Sequence, residues 1–142
     1  MSERILLVDD EKDFVETLAE RMRSRDMTVS TATSAAGALD LIEEKSFDAI
    51  VLDLQMPGMD GLEALEMIKA KNPNLQVILL TGQATVEKGI QAMKLGAMDL
   101  LEKPADIDTL TEKIKKASAK KMVLVNEETE KKIKEIMGGK GW

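Results

Sequence analysis

Short apolar runs alternate with amphipathic stretches along most of this chain. The runs have the length of strands buried on both faces, and they occupy residues 5–8, 27–31, 49–52, 77–80 and 98–102. Between and after them, apolar residues recur every three or four positions, which is the spacing of one helix face. Five strands alternating with five helices predict an α/β fold, a doubly wound parallel sheet with helices on both faces.

Capping and turn-forming residues set the expected helix ends. Ser34 can cap the second helix, Pro73 follows the end of the third, and Gly96 ends the fourth, which Thr85 can cap. Each helix carries an apolar stripe that is expected to face the sheet. The stripes are Phe14, Leu18 and Met22; Ala38, Leu39 and Ile42; Leu62, Leu65 and Ile68; Val86, Ile90 and Met93; and Ile107, Leu110, Ile114 and Ala117.

The C-terminal residues exceed what five strands and five helices require. We therefore divide the chain into a domain at residues 1–120 and an extension at residues 121–142. Asn126 can cap a helix in the extension that runs to Met137. This helix could pack back on the domain, form a tail, link to another module, or serve as a dimerisation or partner-docking helix.

The composition argues against several classes of function. A net charge of −6 and 2% aromatic residues do not suit direct nucleic-acid binding, which needs a basic face or stacking platforms. No apolar run is long enough to cross a membrane. The chain has no cysteine, which fits the cytoplasm, where we place the protein. Because it also has no histidine, its chemistry must use carboxylates, lysines, hydroxyls or backbone groups.

Polar residues follow four of the five predicted strands. Asp9 and Asp10 come directly after the first strand, Asp53 after the third, Thr81 after the fourth and Lys103 after the fifth. Singly, each could be a helix cap or a turn residue. The carboxyl ends of parallel strands meet at one edge of a sheet, and that edge forms the ligand crevice in open α/β folds. The whole set therefore predicts one site.

The chemistry of such a site can be read from its charges. Hard carboxylate oxygens without histidine or cysteine select Mg²⁺ or a similar cation. Three carboxylates, one divalent cation and the Lys103 ammonium sum to zero charge. A carboxylate neutralised in this way can attack phosphorus and form an aspartyl phosphate. Mg²⁺ and Lys103 would offset charge on the transferring group, and the Thr81 hydroxyl and nearby backbone N–H groups would donate hydrogen bonds to it.

These residues belong to longer segments that resemble the receiver domain of response regulators in two-component signalling, over roughly residues 3–120. The segments that carry the resemblance are Ile5-Leu6-Leu7-Val8-Asp9-Asp10-Glu11; Val51-Leu52-Asp53-Leu54-Gln55-Met56-Pro57-Gly58-Met59-Asp60-Gly61; Leu80-Thr81-Gly82; Gly96-Ala97-Met98-Asp99-Leu100-Leu101; and Lys103-Pro104. The resemblance implies a flavodoxin-like fold with strand order 2-1-3-4-5. It also implies a cis peptide bond before Pro104.

The resemblance assigns roles to the predicted site. Asp53 becomes the phosphoacceptor, and the donor is a phosphohistidine on a sensor histidine kinase or a histidine phosphotransfer protein. Mg²⁺ is held by Asp10, Asp53 and the backbone carbonyl of Gln55, with Asp9 acting through water. Thr81 and Lys103 contact the phosphoryl group, and Gln55 and Gln83 occupy the positions that tune hydrolysis.

The family's activity is that of a switch rather than of a dedicated enzyme. The domain assists its own phosphorylation and autodephosphorylation and relays the signal through the surface of helix 4, strand 5 and helix 5. The partners this implies are the phosphodonor and an unidentified downstream protein, and the chain is a monomer or a phosphorylation-dependent dimer. Leu100 departs from the family pattern, which has Tyr or Phe three residues before the lysine.

Other functions remain to be weighed against the switch. The chain could be the receiver fragment of a larger response regulator, or a pseudo-receiver that only docks. A haloacid-dehalogenase-like phosphatase needs a second aspartate two residues after its nucleophile, where this chain has Gln55. A flavin carrier needs a hydroxyl- and glycine-rich phosphate loop, and Asp9, Asp10 and Glu11 would repel that phosphate.

Overall fold

The computed structural model describes residues 3–56, 60–82 and 86–138, without the side chain of Val86. Strands and helices alternate along it. The strands are β1 (Arg4–Val8), β2 (Thr28–Ala32), β3 (Ala49–Leu52), β4 (Gln76–Thr81) and β5 (Asp99–Glu102). The helices are α1 (Lys12–Arg23), α2 (Ala35–Glu44), α3 (Gly61–Lys71), α4 (Val86–Lys94) and α5 (Ile107–Gly138).

The five strands form one parallel sheet in the order β2-β1-β3-β4-β5, which confirms the predicted topology. In the centre of the sheet, Val8 pairs with Ala32 on one side and with Leu52 on the other. β1, β3 and β4 lie between other strands, and this explains why the sequence shows them as continuous apolar runs rather than as alternating patterns.

Two apolar layers cover the two faces of the sheet. Alternate residues of each strand point to opposite faces, so Leu6 and Leu79 pack under α2, α3 and α4, whereas Ile5 and Ile78 pack under α1 and α5. The doubly wound arrangement predicted from the sequence is confirmed. Helices on both faces leave the carboxyl edge of the sheet open to side chains from the strand ends.

The observed ends of α2, α3 and α4 agree with the predicted signals where the structure describes them. The Ser34 side chain accepts a hydrogen bond of 3.1 Å from the Gly37 N–H and caps α2. α3 ends at Lys71, just before Pro73, and Gly96 follows α4 with a φ of +102°, in the left-handed region that glycine adopts without strain. Thr85 lies outside the described residues.

The predicted inward face of α4 is wrong. Ile90 and Met93 are 51% and 50% exposed, whereas Ala92 is fully buried; the side chain of Val86 lies outside the described part. A Cβ atom at Gly89 would stand 3.1 Å from Leu100 Cδ2. Small residues therefore bring α4 close to the sheet, and the larger apolar residues, which have the same helical spacing, face solvent.

The C-terminal extension continues α5 and does not begin a new helix. α5 runs unbroken over 32 residues, so the N-cap predicted at Asn126 is wrong, because this residue lies in mid-helix. The Lys121 ammonium donates to the Phe47 carbonyl, and Glu128 accepts a hydrogen bond of 2.7 Å from the Asn74 side chain. Within the described ranges, neither α5 nor any other helix has the length and apolar character needed to cross a membrane.

The start of α3 depends on close backbone contact at Gly61. Its N–H donates to the Leu54 carbonyl at 3.0 Å, and a Cβ atom there would stand 2.4 Å from Leu54 Cα. We expect Gly61→Ala to lower the free energy of unfolding by about 1–3 kcal/mol, because backbone atoms must move apart. Urea denaturation measures this, with Gly82→Ala as control, since a Cβ there would meet no heavy atom within 4 Å apart from those of its chain neighbours. Equal stability of the Gly61→Ala variant and the wild type would contradict the contact.

Candidate functional site

The carboxyl edge of the sheet is built by backbone hydrogen bonds that continue the strand pairing past the strand ends. The Asp9 N–H donates to the Ala32 carbonyl at 3.1 Å, and the Asp53 N–H donates to the Val8 carbonyl at 3.0 Å. The Lys103 N–H donates to the Thr81 carbonyl at 2.8 Å. Residues that directly follow β1, β3 and β5 are thus placed by the sheet itself, before any side-chain contact.

The side chain of Lys103 joins the ends of three strands. Its Nζ lies 2.5 Å from Asp9 Oδ2, 3.5 Å from Asp53 Oδ2 and 3.6 Å from Glu11 Oε1. The Lys103 side chain is 13% exposed, and those of Asp9 and Asp53 are buried. Residues 94 positions apart in the sequence therefore share one ion-pair network, as the strand-end pattern predicts.

Asp9, Asp10 and Asp53 form an acidic cluster at this edge. One carboxylate oxygen from each lies within 4.8 Å of the others, Asp10 being exposed and the other two buried. Asp9 Oδ1 accepts a hydrogen bond of 2.9 Å from the Glu11 N–H, and Asp53 Oδ1 accepts one of 3.2 Å from the Gln55 N–H. Three converging carboxylates without a nitrogen or sulfur ligand fit a hard divalent cation such as Mg²⁺.

Burial acts in opposite directions on the pKa of Asp53 and on the pKa of Lys103. Burial raises the pKa of Asp53, and the negative charge of Asp9 adds to this, against the opposing effects of the Gln55 N–H and Lys103. Burial lowers the pKa of Lys103, but the hydrogen bond to Asp9 and the charges of Asp53, Asp9 and Glu11 outweigh it. The net pKa of Lys103 is raised, so its ammonium is a fixed positive charge beside two buried carboxylates.

The remaining predicted site residues fall around this network. Thr81 is buried at the end of β4, the strand next to β3 in the sheet. Gln55 is exposed and follows Asp53 by two residues, and Gln83 lies outside the described residues. The peptide bond between Lys103 and Pro104 is cis, as the resemblance implies.

Phe14 also belongs to the site, although its spacing in the sequence predicted only that it faces the core from the first helix. The Phe14 ring lies 4.3 Å from Lys103 Nζ, on the first turn of α1. Lys103 is therefore in contact both with carboxylates and with the negative face of an aromatic ring. The sequence signal is that Phe14 stands one helical turn after the acidic residues that follow β1, which places it near the same edge.

Comparison with known proteins gives a consistent result. The sequence matches the family described as response regulator receiver domain over residues 5–115. It is 39% identical over 115 residues to the transcriptional regulatory protein ZraR of Salmonella typhimurium, which covers 81% of this chain and 26% of that protein. It is 36% identical over 115 residues to a putative NtrX-like response regulator of Rickettsia bellii, which covers 80% of this chain and 24% of that protein.

Solved structures agree with the sequence comparisons. A CheY-like response regulator receiver domain protein from Methanospirillum hungatei superimposes with a TM-score of 0.81 at 29% identity, covering 86% of this chain and 98% of that one. A receiver domain protein from Clostridium thermocellum gives 0.82 at 32% identity, covering 86% and 98%. The chain spans about a quarter of the length of the curated relatives that it matches.

Proposed function

The chain belongs to the response regulator receiver domain family, and we propose that it is a signalling switch that accepts a phosphoryl group on Asp53. A receiver is a signalling domain rather than a dedicated enzyme. The observation that carries the proposal is the position of the buried Asp53 carboxylate, inside the acidic cluster and 3.5 Å from the Lys103 ammonium. A nucleophile, a cation-binding set and a fixed positive charge thus lie at one edge of the sheet.

The proposed reaction transfers a phosphoryl group from a phosphohistidine on a sensor histidine kinase or a histidine phosphotransfer protein. A carboxylate oxygen of Asp53 forms a bond to phosphorus while the bond from phosphorus to the histidine nitrogen breaks, and the imidazole leaves with the electron pair of that bond. Burial raises the pKa of Asp53, and the ionised carboxylate is the form that attacks phosphorus. The Lys103 ammonium offsets negative charge on the oxygens of the phosphoryl group, and the Thr81 hydroxyl donates a hydrogen bond to one of these oxygens.

The oxygen ligands at this edge of the sheet fit Mg²⁺ as the cofactor. Asp10, Asp53 and the backbone carbonyl of Gln55 would hold it, with Asp9 acting through a water molecule. When bound, the cation would offset the repulsion between the carboxylates and the incoming phosphoryl oxygens. Asp9 also bonds Lys103, so it links the cation site to the ammonium.

Intact-mass measurement after incubation with acetyl phosphate tests the proposal. With Mg²⁺ present, the protein is expected to gain the mass of one phosphoryl group, and tandem mass spectrometry should place that group on Asp53. Without Mg²⁺ the gain should be much smaller. The proposal is overturned if the mass stays unchanged with both donor and cation present, or if the modified residue lies away from the carboxyl edge.

Cation binding has a consequence for stability that does not depend on phosphorylation. We expect Mg²⁺ to raise the thermal unfolding midpoint, because it relieves carboxylate repulsion that exists in the folded state alone. At a hundred times the dissociation constant, the gain is about 2.7 kcal/mol. Scanning calorimetry with and without Mg²⁺ measures it, and Asp10→Asn is expected to remove most of the effect. An Asp10→Asn variant that responds as the wild type does would exclude Asp10 as a ligand.

Phe14 acts, in this proposal, as a positioning residue for Lys103. Its ring lies 4.3 Å from the ammonium, and a contact of this kind contributes about 0.5–2 kcal/mol. We expect Phe14→Leu to slow phosphorylation by acetyl phosphate about 2- to 30-fold, whereas Phe14→Tyr, which keeps the ring, retains the rate. Single-turnover kinetics at saturating donor measures this. Equal rates for the leucine and tyrosine variants would show that the ring contributes packing alone.

Signal output, in the same proposal, passes through α4, β5 and α5. Phosphorylation adds acceptor oxygens beside Thr81, and Thr81 is joined to β5 by the Lys103 N–H. Gly89 lies against Leu100, so movement of α4 and repacking of Leu100 are coupled. A shift from 1:99 to 99:1 needs about 5.5 kcal/mol, which two or three charge-assisted hydrogen bonds of roughly 1.5–3 kcal/mol supply. NMR shifts confined to the carboxyl edge on adding beryllofluoride and Mg²⁺ would refute this relay.

The wider assignment of the chain follows from its relatives. Proteins named as transcriptional regulators match it over about a quarter of their length, so we propose that the chain serves as the receiver part of a regulator of this kind, or as a separate receiver that acts on a downstream protein. The intact acidic cluster and Lys103 favour phosphorylation over a docking-only pseudo-receiver. The domain division at residue 120 and the cytoplasmic location stay predictions.

A further inference from the structure

The distal part of α5, after Ala119, carries large apolar side chains that are exposed. They lie between 41% and 63% exposed, and they are Met122, Val123, Val125, Ile133, Ile136 and Met137. Single exposed apolar residues are ordinary, but a contiguous apolar face on one helix marks an interaction surface. We call the line of Met122, Val125, Thr129, Ile133 and Ile136 the distal stripe.

The spacing of the distal stripe reads the same in both directions. Its members follow one another at intervals of three, four, four and three residues, with Thr129 at the midpoint. Met122 and Val125 recur as Ile133 and Ile136 eleven residues later, and an eleven-residue repeat keeps one line along a nearly straight helix. The Thr129 hydroxyl donates back to the Val125 carbonyl at 3.0 Å, so its polar group is satisfied within the helix.

The domain itself does not cover this stripe. It holds the distal helix through Lys121, which donates to the Phe47 carbonyl, and through Glu128, which accepts from Asn74. Lys121 and Glu128 are seven residues apart and share one helix face. At about 100° per residue, that face lies roughly a quarter turn from the distal stripe. The helix is thus anchored on one face, and its exposed apolar line lies on the neighbouring face, about a quarter turn away.

We propose that the distal stripe binds the same stripe of a second copy of this chain, with the two helices antiparallel about Thr129. A line with palindromic spacing is complementary to itself in this orientation, which places Met122 near Ile136 of the partner and Val125 near Ile133 of the partner. No other partner chemistry is indicated, because the distal helix carries interspersed lysines and glutamates rather than a patch of one sign.

The charge distribution supports the same orientation. Six lysines and four glutamates follow Ser118, so this segment has a net charge of +2. Because the whole chain has a net charge of −6, residues 1–118 carry −8. Two domains of charge −8 repel much more strongly than two distal segments of charge +2. Antiparallel pairing places the domains at opposite ends of the helix pair. It also aligns the two helix dipoles in opposite directions, which is favourable.

The area available is that of a reversible dimer. The four half-exposed apolar side chains of the distal stripe offer on the order of 400 Å² per copy, about 800 Å² for the pair, which is the size of a weak interface. The dimer is therefore concentration-dependent. It stands apart from the proposed phosphorylation, since no residue of the stripe belongs to the acidic cluster.

Analytical ultracentrifugation of the whole unphosphorylated chain over a concentration series tests self-association. The wild type is expected to pass from monomer to dimer. Ile133→Glu is expected to weaken the dimer at least tenfold, while Ile90→Glu, the same substitution at an equally exposed residue of α4, leaves it unchanged. A wild type that stays monomeric, or a dimer lost in Ile90→Glu and kept in Ile133→Glu, overturns the proposal.

Disulfide trapping tests the orientation, because the chain has no cysteine of its own. Val125→Cys and Ile133→Cys proteins, mixed under mild oxidation, should form the mixed disulfide dimer in preference to either symmetric one. Glu127→Cys, on the opposite helix face, should not crosslink. Symmetric dimers as the main product would refute the antiparallel arrangement, and crosslinking of Glu127→Cys at the same rate would show random collision.

Discussion

Replacing Asp53 with Asn is expected to lower phosphorylation by acetyl phosphate or a phosphohistidine donor by roughly a thousandfold or more. The amide oxygen carries no negative charge and is a poor nucleophile toward phosphorus. The substitution keeps the size of the side chain and its place beside Lys103, so the loss reflects chemistry rather than packing. Intact-mass analysis over time, with Mg²⁺ and donor in excess, measures it.

Asp48→Asn is the matched control, because Asp48 lies just before the opposite end of the same strand, β3, where it accepts a hydrogen bond from the Arg4 N–H. Its phosphorylation should equal that of the wild type. Uptake of a phosphoryl group by Asp53→Asn at the normal rate would mean that another carboxylate, such as Asp10, is the nucleophile.

The Asp53→Asn variant should be more stable than the wild type in the absence of Mg²⁺. Because burial raises the pKa of Asp53 above its unfolded value, the ionised carboxylate costs stability at neutral pH. This cost shrinks as the pH falls below the folded pKa and is gone below the unfolded pKa. Removing the charge should raise the free energy of unfolding by about 1 kcal/mol. Urea denaturation at neutral pH in EDTA measures the difference. This is the expected mark of a site selected for function at some cost in stability.

Replacing Lys103 with Met is expected to destabilise the metal-free protein by about 2–4 kcal/mol. Among the described residues, Lys103 is the cation that pairs with the buried carboxylates of Asp9 and Asp53, and removing it leaves two like charges uncompensated. Met keeps most of the apolar stem of the side chain, so the loss is mainly electrostatic. We also expect phosphorylation to slow by about 10²–10³-fold, the usual cost of removing one group that stabilises transition-state charge.

A double-mutant cycle isolates the electrostatic part. Lys103→Met combined with Asp53→Asn should recover a large share of the lost stability, because one of the uncompensated charges is gone. Lys113→Met serves as control, since Lys113 also pairs with an aspartate, Asp99, at 2.6 Å, but both side chains are 30% exposed. Its cost should stay below about 1 kcal/mol. A Lys103→Met variant no less stable than Lys113→Met would contradict the buried network.

Much of the fold followed from local patterns. The apolar runs of β1, β3 and β4 marked central strands because a strand paired on both sides and covered on both faces has no position for polar side chains. Asp9, Asp53 and Lys103 were placed in one site for a related reason. Each directly follows a strand, and parallel strands end at the same edge whatever their order.

Two features needed the folded structure. The face of α4 that meets the sheet is set by how closely its small residues, Gly89 and Ala92, approach Leu100 and the core, and periodicity alone favoured the larger residues. The continuity of α5 through Asn126 depends on contacts of Lys121 and Glu128 with distant loops. In both cases the deciding partners are remote in sequence.

The amino-acid sequence by itself determined the sheet, its covering helices and the edge at which the acidic residues, threonine and lysine meet, because these depend on period and on order along the chain. Only the tertiary structure decided that the Phe14 ring contacts the Lys103 ammonium and that the distal stripe stays uncovered. Those outcomes depend on distances between elements, which are set when all the layers pack together.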